Sequence, residues 1–357
     1  MRYKPDWPDA AERWAALWEG RSQGRPCICV TAPKGKGTPF PPARSGEQKY
    51  LDPGYIVPEA LAYLESTHFG GEAVPSRLLN GGWVATTYGA APRFSLETIW
   101  FEPVKVNWEE PPRFDLDFAD LWFQRYEALH KALVAAAGRD DFFIGQACVL
   151  PGNDMLARLL GTEAFMLGLL DHPAWMREAI LQLAANWLKV QEHFATLTAH
   201  TNDFWYGNGG WAHFWGPEPF LTTQSDISCM VSPEMFDEFI VPELDLVGAR
   251  FGRVWYHLDG PGAERHLPRL CSLDTIRVIQ WVPGAGRPPN GPAYFDLYRA
   301  IQQAGRIVHI GVPKENVEAV VRALDPGLLC IETWCSSPKE SDELVADAER
   351  WTRARGT

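Results

Sequence analysis

No window of this 357-residue chain approaches the ~18 uninterrupted apolar residues that a membrane-spanning helix needs. The opening MRYKPDWPDAAERW likewise lacks the apolar centre of a signal peptide. A cytoplasmic protein without a membrane partner is therefore expected. Positive charge is in short supply: 33 Lys and Arg stand against 45 Asp and Glu, a formal net charge of −12. That balance opposes binding to phosphate backbones and anionic bilayers, so nucleic acid is not an expected partner. The seven cysteines form an odd set with no C-x-x-C pair, which argues against a disulfide framework and for free thiols. No G-x-G-x-x-G follows the first β-rich run, which disfavours a dinucleotide fold, and neither a nucleophile elbow nor H-E-x-x-H supports a hydrolase or metalloprotease.

What is present fits an ordinary globular α/β protein, with 46% apolar and 22% charged residues. The 16 tryptophans stand out, several beside glycines as in GNGGWAHFWGP, where they can wall a ligand pocket or pack beneath loops. Eight β-rich runs, at 27–32, 81–88, 142–149, 203–208, 254–259, 276–281, 306–312 and 328–333, alternate with helical periodicity at 117–137, 153–170, 173–199, 232–250, 262–271, 291–304, 314–324 and 337–354. Strands separated by such helices pair in parallel through crossovers rather than as hairpins. The expectation is a single-domain (β/α)8 TIM barrel over 26–357, with 1–25 as a helical extension and Pro/Trp-rich insertions at 34–56 and 89–116.

In a barrel of this kind the chemistry sits at the carboxyl ends of the strands. His257 and Asp259 in YHLDGPG are two residues apart and share one strand face. Asp154 follows the third run; Tyr206, His213 and Asp226 lie around and after the fourth; Gln280 and Trp281 end the sixth; Trp334 and Cys335 end the eighth. Imidazole, carboxylate and thiolate are all zinc ligands, so His257, Asp259 and Cys335 can form a three-ligand site with an open position. The same residues also read as a hydrogen-bonded loop pair and a small buried hydrophobe. The glycine-rich GAGRPPNG at 284–291 is weak as a phosphate cradle, because its prolines remove amide donors.

The runs DISCMVSPEMFDEFIVPELDLV (226–247), VWYHLDGPGAERHLPRL, IRVIQWVPGAG and LPGNDMLARLLGTEAFMLGLLDHPAWM (150–176) resemble the uroporphyrinogen decarboxylase superfamily, across roughly 140–345. The resemblance implies a (β/α)8 barrel and one of two chemistries. The decarboxylase branch carries an arginine-rich N-terminal motif, whereas this chain has TAPKGKGTPFPPARSGEQ with Arg44 alone. The zinc- and corrinoid-dependent methyltransferase branch uses His-x-Cys and a distant Cys; here His257 and Cys335 take two of those places and Asp259 stands where the family has Cys. That substitution hardens the site and favours an oxygen nucleophile or a folate-type leaving group over a thiol. Metal-assisted methyl transfer with a corrinoid or folate-type carrier is the function implied, using His257, Asp259, Asp226 and Gln280, with Tyr206, Trp281, Trp334, Asp154 and His213 around the substrate. It brings zinc, a small-molecule substrate, a corrinoid protein and a homodimer as expected cofactor and partners. A metal-independent decarboxylase or lyase of a small acid, with Asp226 or Asp154 as acid/base, is the alternative. A non-catalytic barrel binding a sugar or cofactor is the third.

Overall fold

The structure, a computed structural model, describes residues 1–35, 39–79, 82–138, 141–146, 150–198 and 214–354. Eleven strands occur in the described residues: β1 (Cys27–Pro33), β2 (Thr67–Gly71), β3 (Ser76–Arg77), β4 (Pro92–Phe94), β5 (Ile99–Phe101), β6 (Phe143–Ile144), β7 (Leu221–Gln224), β8 (Val254–Asp259), β9 (Ile276–Val282), β10 (Ile307–Gly311) and β11 (Leu329–Trp334). The central sheet runs β2-β1-β11-β10-β9-β8-β7, all neighbours parallel except the edge strand β2. Several of its strands are near-continuous apolar runs, such as Ile276–Val282, as expected of strands covered by helices on one face and packed inward on the other. β3 and β6 form a separate parallel pair, and β4 and β5 a short hairpin.

Taken in chain order, β1, β3, β6, β7, β8, β9, β10 and β11 follow the sequence of a (β/α)8 ring, and the first pairs with the last. Backbone ladders do not complete that ring: among the described residues no closed barrel is formed. Where β6 approaches β7, the Gln146 side chain replaces the ladder. Its Oε1 accepts from Thr222 N at 3.0 Å and Thr222 Oγ1 at 2.8 Å, and its Nε2 donates to Phe220 O at 2.7 Å. The fold is thus α/β with a mostly parallel sheet, compatible with a TIM-like architecture.

Four details depart from the periodicity. Residues 81–88, expected as a strand, hold a helical turn over Gly82–Tyr88, and Ser76–Arg77 occupies the second strand position instead. The expected strand 203–208 lies outside the described residues, while Leu221–Gln224, too short and too rich in threonine to stand out, pairs with β8. Antiparallel β2 was likewise not expected. The long helices expected at 153–170 and 232–250 are each split, the first at Gly161 (φ 80°) and the second ahead of Pro242, whose nitrogen cannot donate. The Ser-Pro starts behave as read: Ser232 Oγ accepts from Met235 N and Ser337 Oγ from Glu340 N, each at 3.2 Å.

The helix Trp7–Trp18 packs against the amino ends of the strands. Trp14 meets Phe214 at 4.9 Å between ring centroids and donates to Glu72 O, and Trp18 donates to Trp215 O. Each buried indole removes ~200 Å² from water, of order 5 kcal/mol of transfer free energy before entropy costs. With the amino end covered, the open end of the sheet is the carboxyl rim.

Candidate functional site

Period-two alternation along β8 places Trp255 and His257 on the inner face, in register with Val278 and Gln280 of β9. His257 Nδ1 contacts Gln280 Oε1. An amide oxygen only accepts, so Nδ1 carries a proton, and in the neutral ring Nε2 is then the lone-pair nitrogen. Asp259 ends the strand two residues later. Gly260 then adopts φ 73°, a left-handed conformation that glycine takes without steric cost, and its N–H returns to Val282 O at 2.9 Å. The HLDG stretch therefore delivers an oriented imidazole and a carboxylate to one rim.

A second carboxylate comes from the turn after β7. Asp154 accepts from Gln224 Nε2 at 2.8 Å and from Asp226 N at 2.9 Å, and Ser225 Oγ donates to Asn153 Oδ1 at 2.9 Å. Beneath them the buried Glu243 accepts from Gly152 N, Asn153 N and Asn153 Nδ2 at 2.8–2.9 Å, anchoring the start of helix Gly152–Leu160 to helix Val241–Phe251. So held, Asp226 joins His257 and Asp259: one ligand atom from each lies within 4.8 Å of the others. Enclosure by protein raises the Asp226 pKa even though the side chain reaches solvent; His257 opposes the rise and Asp259 adds to it. Burial, and then the charge of Asp226, push Asp154 well above the usual carboxylate range. Carboxylates crowded in this way are relieved by a proton or a cation.

Beside this group lies a cavity of about 890 Å³ whose walls include Cys29, Thr31, Asp259, Gln280, Glu332 and Trp334. The GAGRPPNG loop forms another wall, including Arg287, and Asn290 Nδ2 ties it to Gly311 O at 2.9 Å. Below Glu332 runs a buried polar chain: Trp255 Nε1 donates to His309 Nδ1 at 3.0 Å, and His309 Nε2 lies 2.8 Å from Glu332 Oε1. Because the indole occupies Nδ1, the ring carries its proton on Nε2 and donates it to the carboxylate.

Some expected residues stand elsewhere. Cys335 is not part of the converging group. It lines a different pocket with Lys314, Ser336 and Glu340, where burial and the Glu340 charge raise its pKa and disfavour the thiolate that a metal ligand must supply. Trp281 is fully buried on the outer face of β9 against Tyr294, 5.8 Å between ring centroids, and does not wall the cavity. Trp334 does, with 61% of its surface exposed. Tyr206 and His213 lie outside the described residues. His309 was missed because a lone histidine inside the apolar run RIVHIGV reads as core. A literal G-x-S-x-G does occur, at Gly20–Gly24, but it follows a helix and precedes β1, the reverse of the strand-to-helix order of a nucleophile elbow.

No protein-family model matches the chain, and no curated protein matches it. Among solved structures, a methyltransferase from Methanosarcina mazei is similar with a TM-score of 0.62 at 12% sequence identity, over 96% of this chain and 98% of that one. At this identity the likeness is one of fold.

Proposed function

We propose that this protein is a metal-assisted methyltransferase built on a single (β/α)8 barrel over residues 26–357, with 1–25 as its helical extension. The observation that carries the reading is the convergence of Asp226, His257 and Asp259 at the carboxyl rim of a fold shared with a methyltransferase over nearly its whole length. The donor set suits a divalent ion: an imidazole whose tautomer Gln280 fixes, and two carboxylates whose mutual repulsion a cation relieves. It contains no thiolate, so it fits a harder site than one made to activate thiols; zinc, manganese and iron(II) all accept such ligands. A bound ion there would polarise a substrate oxygen or lower the pKa of a hydroxyl.

The chain's own residues do the rest in this reading. Gln280 holds the His257 ring, Asp154 fixes the backbone that carries Asp226, and Trp334 with the 283–290 loop bounds the space for the acceptor. A corrinoid- or folate-type carrier is the methyl donor this reading implies, and a corrinoid protein, like a homodimeric state, belongs to the same proposal. The metal-free lyase is favoured by a different observation, the raised pKa values of Asp154 and Asp226, which would let one of them act as a general acid. The two are separated by assaying methyl transfer and decarboxylation with and without chelator. The proposal expects stoichiometric metal and chelator-sensitive methyl transfer; activity in metal-free protein would overturn it.

A further inference from the structure

The cavity has a second polar device that the metal group does not use. Glu332 and Trp334 are two residues apart on β11 and share the strand face that lines the cavity. Glu332 is anchored from below by His309, which is buried to 1% exposure and whose own orientation is set by the buried Trp255. A carboxylate held in this way keeps its direction without costing the ligand much ordering entropy. Facing it from β10 is Gly311, in register with Glu332, where an added Cβ would meet no atom within 4 Å. Open space therefore lies beside the carboxylate.

A fixed carboxylate next to an exposed indole is the chemistry that recognises an organic cation, by charge on one side and by the ring quadrupole on the other. We propose that Glu332 and Trp334 form a binding site for the ammonium group of the substrate, with His309 and Trp255 as positioning residues. This rests on the methyltransferase reading for its meaning, since it makes the substrate a substituted amine or quaternary ammonium compound. The binding itself requires neither metal nor methyl donor.

Titration calorimetry of the full-length protein with choline, tetramethylammonium and the neutral choline isostere 3,3-dimethylbutanol tests it. The ammonium probes are expected to bind at least about tenfold more tightly than the isostere, a difference of about 1.4 kcal/mol. Glu332→Gln, which keeps the shape of the side chain, and Trp334→Ala, at an exposed position, should each weaken choline binding about tenfold, with the isostere unchanged in the first and weakened less than choline in the second. Trp255→Phe should weaken choline less than Glu332→Gln does, because the carboxylate stays but loses its fixed direction. Equal binding of choline and isostere, unchanged choline affinity in both Glu332→Gln and Trp334→Ala, or no binding of any ammonium probe would overturn the site. Repeating the titration with Asp226→Asn separates the two proposals. Choline binding that survives there shows the ammonium site to be independent of the Asp226 group, whereas wild-type protein that binds choline but no metal removes the methyltransferase reading and leaves the ammonium site standing.

Discussion

Removing the carboxamide of Gln280 tests the metal group without touching its ligands. In Gln280→Ala the His257 ring loses the acceptor on Nδ1, so both its orientation and its tautomer are released. Loss of such an outer partner typically weakens metal affinity about 10- to 100-fold. With free metal at about 100 times the dissociation constant, ligation stabilises the folded state by about 2.7 kcal/mol. Unfolding entropy of about 2.1 cal/mol/K per residue gives about 0.75 kcal/mol/K for the 357-residue chain, so the expected rise in Tm is about 3–4 °C. At the same metal concentration Gln280→Ala should retain only about 0.4–1.4 kcal/mol, a rise of about 0.5–2 °C. Scanning calorimetry with zinc and manganese, with and without chelator, reads both numbers, and elemental analysis reads the stoichiometry. A lower pH should weaken binding, and the raised Asp226 pKa makes the loss begin above the ordinary carboxylate range, since the proton competes with the ion. If His257→Ala and Asp226→Asn keep the full metal-dependent shift, the ion is not held here and the reasoning fails.

Three further outcomes follow from the packing. Cys335→Ser should leave metal affinity unchanged by the same calorimetry, because the thiol lies in the Lys314–Glu340 pocket; a tenfold loss would restore it as a ligand. Two buried groups should tilt the pH dependence of stability in opposite directions. Burial lowers the His130 pKa to about 4, so the unfolded chain binds the extra proton and stability falls as pH drops from about 6.5 to 4, by at most about 3 kcal/mol. Burial raises Glu243 to about 7 against the donors that hold it, so the folded chain binds the extra proton and stability falls as pH rises from about 4.5 to 7, by a similar upper bound. Denaturant titrations across pH should show His130→Leu flattening the acid limb and Glu243→Gln flattening the other; unchanged slopes would refute the assignments. Gly152→Ala should cost about 2 kcal/mol or more in Tm-derived stability, because a Cβ there would sit 2.2 Å from Ile180 O and force the two helices apart.

The carboxyl-rim position of His257 and Asp259 was legible because it needs only a two-residue period and a Gly-Pro-Gly stop, both local properties of the chain. The same holds for the helices opened by Ser232 and Ser337, whose caps depend on the next three residues alone. The third member of the converging Asp226–His257–Asp259 group was not legible as such. Asp226 and Cys335 were both polar residues near strand ends, and choosing between them requires knowing which way each side chain turns once its strand has found its neighbours. Asp226 is directed by Asp154, 72 positions away in sequence, and Glu332 by His309, which is itself oriented by a tryptophan on a different strand. Trp281 shows the same limit from the other side, since one step in register separates it from Gln280 and sends it to the helix layer instead of the cavity. By itself, then, the sequence determined the alternation of elements and the residue types available at the rim, because periodicity and capping act over a few residues. Which of those residues share one point in space was decided only in the tertiary structure, because convergence is set by strand register and by hydrogen bonds between segments far apart in the chain.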